Sequence, residues 1–135
     1  MDLTQAMYVA ASGMKVQGAR MRVVAQNLAN ADSAPVRPGA RPYSRQTITF
    51  ENALDRELGV ERVQVARTGI DRSPFPTRHL PGHPAADADG YLLMPNVDPL
   101  LEMMDLREAQ RSFEANLNAL ALARSMIQRT LDLLR

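Results

Sequence analysis

The stretch that decides the fold is Asp98–Arg135, DPLLEMMDLREAQRSFEANLNALALARSMIQRTLDLLR. Asp98 is a residue type that caps helices, and Pro99 suits the first helical position because the N–H it lacks has no partner there. After Pro99 the stretch contains no glycine or proline, and large apolar residues recur every seven positions. They are Leu106, Phe113, Leu120, Ile127 and Leu134, with Met103, Leu117 and Leu131 at a companion position. The spacing predicts one helix over 99–135 with a narrow apolar stripe of the coiled-coil type.

Residues 1–30 carry a similar pattern. Apolar residues alternate at spacings of three and four, interrupted once by Gln17; they are Leu3, Met7, Ala10, Met14, Met21, Val24 and Leu28. Asp2 followed by Gln5 resembles a helix start, and the turn formers at 30–33 predict the helix end. Two such stripes are typical either of a helical hairpin that buries its own core or of an assembly surface. The residues leave both readings open.

The prolines divide the 135 residues into three parts. All nine lie between Pro35 and Pro99, and a proline inside a helix costs about 3 kcal/mol. The chain is therefore predicted to consist of an N-terminal helix over 1–33, a central β and loop domain over 34–98, and a C-terminal helix over 99–135.

β-forming residues indicate where the strands of the centre lie. They predict three short strands, at 43–50, 60–65 and 91–94, with a loop over 71–89. The predicted fold class is mainly α with a small β-rich insert, in which the terminal helices form a coiled-coil-like pair.

The composition excludes several classes of protein. Sixteen Lys and Arg against fifteen Asp and Glu give a net charge of +1, which argues against a nucleic-acid-binding protein. The absence of cysteine excludes a disulfide framework and a thiolate metal site. No apolar run approaches the ~20 residues of a membrane span. The N-terminus lacks the features of a cleavable signal peptide, so we expect any export to proceed without one.

Two loop clusters are candidates for chemistry. His79, His83, Asp87 and Asp89 are metal-ligand types, but their spacing imposes no common face, so a solvated turn is favoured over a metal site. A second cluster is basic, and a solvated loop is favoured there too because no aromatic residues are interleaved for nucleic acid. Its members are Arg37, Arg41 and Arg45.

The residues show no catalytic set. No nucleophile, base and orienting group stand in a recognisable arrangement, so we expect neither an enzyme nor a bound metal or cofactor. A metal-dependent hydrolase built on the histidines is the weakest of the alternatives.

Several segments resemble one protein family. Residues 23–33, VVAQNLANADS, resemble the N-terminal signature of bacterial flagellar basal-body rod proteins. Later segments of the family are resembled by 42–46, 81–84, 88–91, 94–98, 111–116 and 125–126. The block MPNVD at 94–98 favours a proximal-rod member. Ser33 and Ala34 depart from the expected threonines. The motif residues are Asn27, Leu28, Ala29, Asn30, Tyr43, Gly90, Tyr91, Pro95, Asn96 and Asp98.

The resemblance implies a structural subunit of the proximal rod, the shaft that transmits torque from the motor ring to hook and filament. The implied partners are other copies of the chain, other rod subunits, rod-to-motor-ring adaptor proteins and the flagellar type III export apparatus, with no nucleic acid. The implied location is the basal body, in a rod that spans the periplasm, with the terminal helices in its axial core. Another rod or hook subunit is one alternative, and a small helical nucleic-acid-binding protein is an alternative from another class.

The apolar stripes supply the predicted assembly and packing residues. These are Leu3, Met7, Met14, Met21, Val24, Leu28, Leu106, Phe113, Leu117, Leu120, Ile127 and Leu131. Leu101, Met104, Leu122 and Leu133 lie outside the strict stripe, and such surplus apolar surface favours a partner. Polar residues within the stripes are predicted to fix register, namely Gln17, Gln110 and Arg124.

Overall fold

A computed structural model describes residues 2–134. Helix α1 spans Leu3–Ala29 and helix α2 spans Pro99–Leu133. This confirms the prediction that the N-terminal and C-terminal segments of the chain are helical. Met1 and Arg135, which the predicted helices include, lie outside the described residues.

Both helices begin with the caps that the sequence indicated. Asp98 Oδ1 accepts a hydrogen bond from the Leu100 N–H at 2.9 Å, and Pro99 is the first helical residue. At the start of α1, the Gln5 side chain accepts from the Asp2 N–H at 3.0 Å and Asp2 Oδ1 accepts from the Thr4 N–H at 3.4 Å. These bonds satisfy N–H groups that have no partner within the helix.

The centre contains four strands in two small sheets. β1 (Gln46–Asp55) pairs with β2 (Val60–Ile70), and β3 (Thr77–His79) pairs with β4 (Tyr91–Leu93). The second pair is antiparallel, with Arg78 opposite Leu92.

The prediction of three strands is wrong in number and in bounds. β1 begins at Gln46 rather than at 43, and β2 continues to Ile70. β3 lies inside the predicted loop, and its three side chains are all exposed. Because no side chain of β3 is buried, the sequence of this strand shows no alternation of apolar and polar residues. β3 is a strand because its backbone pairs with that of β4.

Gly90 shapes the turn before β4. Its φ is +83°, a left-handed conformation that side chains disfavour. A Cβ at this position would lie 2.9 Å from the Pro81 Cβ and 3.1 Å from the His79 Nε2. The turn therefore requires glycine both for its backbone angle and for space.

Contacts divide the chain into two compact units. Unit 1 contains the described parts of Met1–Met21, Ile48–Arg67 and Arg107–Arg135, and unit 2 contains Arg22–Thr47 and Thr68–Leu106. Each helix contributes residues to both units. Neither described helix combines the length and hydropathy needed to cross a membrane.

Candidate functional site

The covered face of α2 in unit 1 is built largely from small and polar residues. Ala109 and Ala123 are buried, and Asn116 between them is half-buried. These positions recur every seven residues alongside the half-buried Phe113 and Leu120. Hydrophobicity alone did not reveal this line, because alanine and asparagine carry little apolar signal. The sequence analysis placed larger residues at the companion position, and all of them are exposed: Met103, Leu117 and Leu131.

Gly13 of α1 lies close to this face. A Cβ on Gly13 would lie 2.8 Å from Asn116 Nδ2, which itself donates to the Ser112 carbonyl at 2.9 Å. One further contact between the helices in unit 1 is an ion pair, with Arg20 Nη2 3.4 Å from Glu108 Oε2. The glycine allows the two helices to approach closely here.

A second apolar stripe of α2 in unit 1 is exposed. It consists of Ala115, Ala119, Leu122, Met126 and Leu133, which we call the outer ridge. Leu122, Met126 and Leu133 expose 63%, 47% and 87% of their surface. At 3.6 residues per turn, the outer ridge lies about a third of a turn around the helix from the covered face. Large apolar side chains on an ordered helix without cover are typical of an interaction surface.

The predicted assembly residues fall into three classes of burial. Val24 is buried and Leu117 and Leu131 are exposed. The others are half-buried: Leu3, Met7, Met14, Met21, Leu28, Leu106, Phe113, Leu120 and Ile127. Their part in assembly stays a prediction. Gln110 and Arg124 are exposed, so within one chain they are not buried between α1 and α2 and do not determine how these helices align.

Unit 2 contains a buried polar cluster centred on Asn27 and Glu102, each 1% exposed. Asn27 Nδ2 donates to Glu102 Oε2 at 3.1 Å and to the Gln46 carbonyl at 2.9 Å. Asn27 Oδ1 accepts from the Tyr43 hydroxyl at 2.9 Å and from the Gln46 N–H at 2.8 Å. The Asn27 amide thus uses both of its donors and both of its acceptor positions.

Arg45 completes the cluster by neutralising the buried carboxylate. Its Nε lies 2.6 Å from Glu102 Oε1, and its backbone N–H donates to Asn96 Oδ1 at 2.8 Å. Asn96 Nδ2 in turn donates to the Ser73 hydroxyl at 3.0 Å. The cluster, defined as Asn27, Tyr43, Arg45, Asn96 and Glu102, therefore joins the end of α1, the approach to β1 and the start of α2.

Two pKa values shift around the cluster. Burial, and then the negative charge of Glu102, raise the pKa of the Tyr43 hydroxyl above its ordinary value. Hydrogen bonds from Ser73 lower the pKa of Asp71, whose carboxylate accepts from the Ser73 N–H at 2.8 Å. Tyr43 is thus held as a neutral donor, and Asp71 as an anion.

The structure brings three of the motif residues, Asn27, Tyr43 and Asn96, into the cluster. Others have separate local positions: Asp98 caps α2, Pro95 is fully buried, and Leu28 and Ala29 are the last residues of α1. Asn30 Nδ2 donates to the Gln26 carbonyl at 2.8 Å.

Arg45 was predicted only as a member of a basic cluster, and Glu102 was not predicted as a site residue. The solvated-loop interpretation is wrong for Arg45, because its side chain pairs with Glu102. The guanidinium of Arg41 lies 5.5 Å from the centroid of the Phe75 ring. Glu102 stands in the first turn of α2, where an acidic residue is ordinarily explained by the helix dipole. Its place seven residues before Ala109 was the one signal that it faces inward.

The histidine loop makes local contacts. His83 Nδ1 accepts from the Ala85 N–H at 3.1 Å, and the His79 and Tyr91 ring centroids are 4.8 Å apart. Asp87 Oδ1 accepts from the N–H groups of Asp89 and Tyr91, at 3.0 and 2.8 Å. Among residues 2–134, no three His, Asp or Glu are grouped so as to hold a metal ion.

Two protein-family models match the chain. "Flagella basal body rod protein" matches residues 7–35, and "Flagellar basal body rod FlgEFG protein C-terminal" matches residues 88–133. Neither describes an enzyme.

Full-length relatives agree with these matches. The flagellar basal-body rod protein FlgC of Agrobacterium fabrum is 48% identical and aligned over 98% of this chain and 96% of its own length. The FlgC proteins of Salmonella typhimurium and Aquifex aeolicus are each 38% identical, over 93% and 98% of this chain and 92% and 97% of their own lengths. The chain belongs to the FlgC family of flagellar basal-body rod proteins.

Proposed function

We propose that this chain, a structural subunit of the proximal rod of the flagellar basal body, polymerises by burying the outer ridge of α2 against neighbouring subunits. The observation that carries the proposal is the exposure of Leu122, Met126 and Leu133 on a regular helix whose covered face uses smaller residues. Burying one leucine contributes about 1.5–3 kcal/mol, so one ridge supplies a substantial association energy at each contact.

The arrangement suits a shaft that carries torque. The terminal helices form a coiled-coil-like pair in the inner, axial domain, and residues 34–98 form the outer domain. The outer ridge of one subunit contacts a different patch on the next subunit, which makes the contact head-to-tail. Head-to-tail contacts extend into a helical polymer when they do not close into a ring. Many lateral helix contacts then resist twisting.

The setting implies further partners. The subunit assembles with other rod components, and we extend this to the adaptor proteins that join the rod to the motor ring. The type III apparatus of the flagellum exports the chain, and the finished rod spans the periplasm. Other axial subunits carry related sequence signatures, so a different position in the rod or hook is the nearest alternative.

A matched pair of substitutions tests the role of the outer ridge. Leu122→Asp places a carboxylate on the ridge, and Asn118→Asp places one at an exposed position of α2 off the ridge. An unpartnered carboxylate buried at a subunit contact costs several kcal/mol. We expect Leu122→Asp to be exported but to abolish swimming in soft agar, and Asn118→Asp to swim like the parent.

Two measurements make this test specific. Thermal unfolding of the purified variants should show similar stability, since both side chains are exposed in the single chain. Recovery of rods from the Leu122→Asp strain, or normal swimming, would overturn the role assigned to the ridge.

A further inference from the structure

The heptad spacing of both helices leaves their alignment ambiguous. Apolar residues recur every seven positions along α1 and along α2. A shift of one helix by seven residues, about 10 Å at 1.5 Å per residue, therefore brings residues of the same heptad positions opposite one another again. Stripes of this kind do not by themselves select one register.

Asn27 and Glu102 differ from the residues that a shift would put in their places. In the structure they contact each other at 3.1 Å, with both side chains buried. A shift of seven in one direction would put Ala109 opposite Asn27, and in the other direction Arg20 opposite Glu102. Either shift separates the Asn27 amide from Glu102 and leaves a buried donor without its acceptor.

We propose that Glu102, paired with Asn27 and Arg45, is a register-determining residue that selects one alignment of α1 with α2. Replacing a whole buried ion pair by apolar residues of similar size is often neutral or stabilising, whereas removing one partner costs stability, and fixing register is the best-attested role of such polar groups. Arg45 would not be left isolated, because its Nη1 lies 4.0 Å from Asp71 Oδ2 and its side chain is partly exposed.

The inference rests on the proposed function, because the alignment decides where the outer ridge lies along α1. α1 and α2 are each one continuous helix. A slip of about 10 Å would move the outer ridge by that distance along α1 and would misplace it relative to the surfaces of neighbouring subunits.

The absence of cysteine allows the register to be measured by cross-linking. Arg20→Cys with Glu108→Cys, joined by a bifunctional thiol-reactive reagent as long as the two native side chains, reports the observed alignment, since those side chains meet at 3.4 Å. Arg20→Cys with Ala115→Cys reports a shift of seven. Each reporter pair is placed in the full-length chain in three backgrounds: the parent, Glu102→Met, which keeps the volume, and Glu102→Gln, which keeps one of the two acceptor oxygens, enough to accept from Asn27.

We expect the thiol-reactive reagent to cross-link the 20–108 pair in the parent and in Glu102→Gln. In Glu102→Met the 20–115 cross-link should rise by about tenfold, while the helical circular dichroism is retained. Parent-like cross-linking in Glu102→Met would overturn the proposal. Loss of its fold would overturn it too, since an unfolded chain adopts no alternative register.

The experiment separates this inference from the proposed function. Cross-linking is read on the purified chain, so it does not depend on whether the outer ridge carries assembly. A slipped Glu102→Met chain that still swims would refute the link between register and assembly.

Discussion

The two units of the chain differ in the kind of residue that is buried along their helices. In unit 2, Asn27 and Glu102 are buried and fully hydrogen-bonded, with Arg45 neutralising the carboxylate. In unit 1, Gly13 lies close to Asn116, Ala109 and Ala123 are buried, and large apolar residues such as Leu122 are exposed. Directional polar bonds thus hold the buried part of unit 2 together, whereas the surface proposed for assembly in unit 1 is apolar and non-directional.

The largest effect expected from this contrast concerns two glutamates. Glu102→Ala removes a buried acceptor from Asn27 and Arg45, and breaking a buried pair costs about 3–5 kcal/mol. Glu108→Ala removes one side of an exposed pair with Arg20, and such pairs contribute about 0–1 kcal/mol. Urea unfolding of the two variants measures both free energies.

Equal losses in the two variants would break the comparison, because the polar cluster would then be no more important to the fold than a surface pair. A loss confined to Glu102→Ala would sharpen it, since the two substitutions remove the same atoms from the same helix.

A smaller effect separates two glycines of α1. A Cβ on Gly18 meets nothing within 4 Å, whereas one on Gly13 lies 2.8 Å from the Asn116 amide. Alanine in a helix interior is favoured over glycine by about 1 kcal/mol. We therefore expect Gly18→Ala to raise the free energy of unfolding by up to about 1 kcal/mol, and Gly13→Ala to lose that gain by displacing Asn116. Thermal unfolding of the purified variants compares them, and a similar gain in both would show that the close approach is not required.

The smallest effect is a pH dependence in unit 2. The pKa of Tyr43 is raised in the folded chain, so its contribution to stability is present below its ordinary value near 10 and is lost as the pH rises through the folded pKa. Tyr43→Phe should remove that alkaline loss, and at neutral pH it should cost about 0.5–1.5 kcal/mol for the bond to Asn27. Unfolding curves at several alkaline pH values measure this. Tyr8→Phe, at an exposed residue, is the control, and an unchanged pH profile in Tyr43→Phe would contradict the assignment.

The sequence predicted what depends on local chemistry. Asp98 and Pro99 marked the start of α2, and the heptad spacing of Phe113 and Leu120 marked its partly covered side. It did not predict β3, because strand pairing through the backbone leaves no apolar pattern. Nor did it predict the contact of Arg45 with Glu102, since 57 residues separate them and only the fold brings them together.

The proposed role of the outer ridge also implies that the lifetime of a subunit depends on its incorporation. A chain whose partners bind only its folded form is stabilised by mass action in proportion to the logarithm of their concentration. A free subunit, with Leu122 and Leu133 in water, lacks that stabilisation and opens more often. Proteases capture the opened form, so we expect unincorporated chains to be degraded first and the assembled shaft to persist.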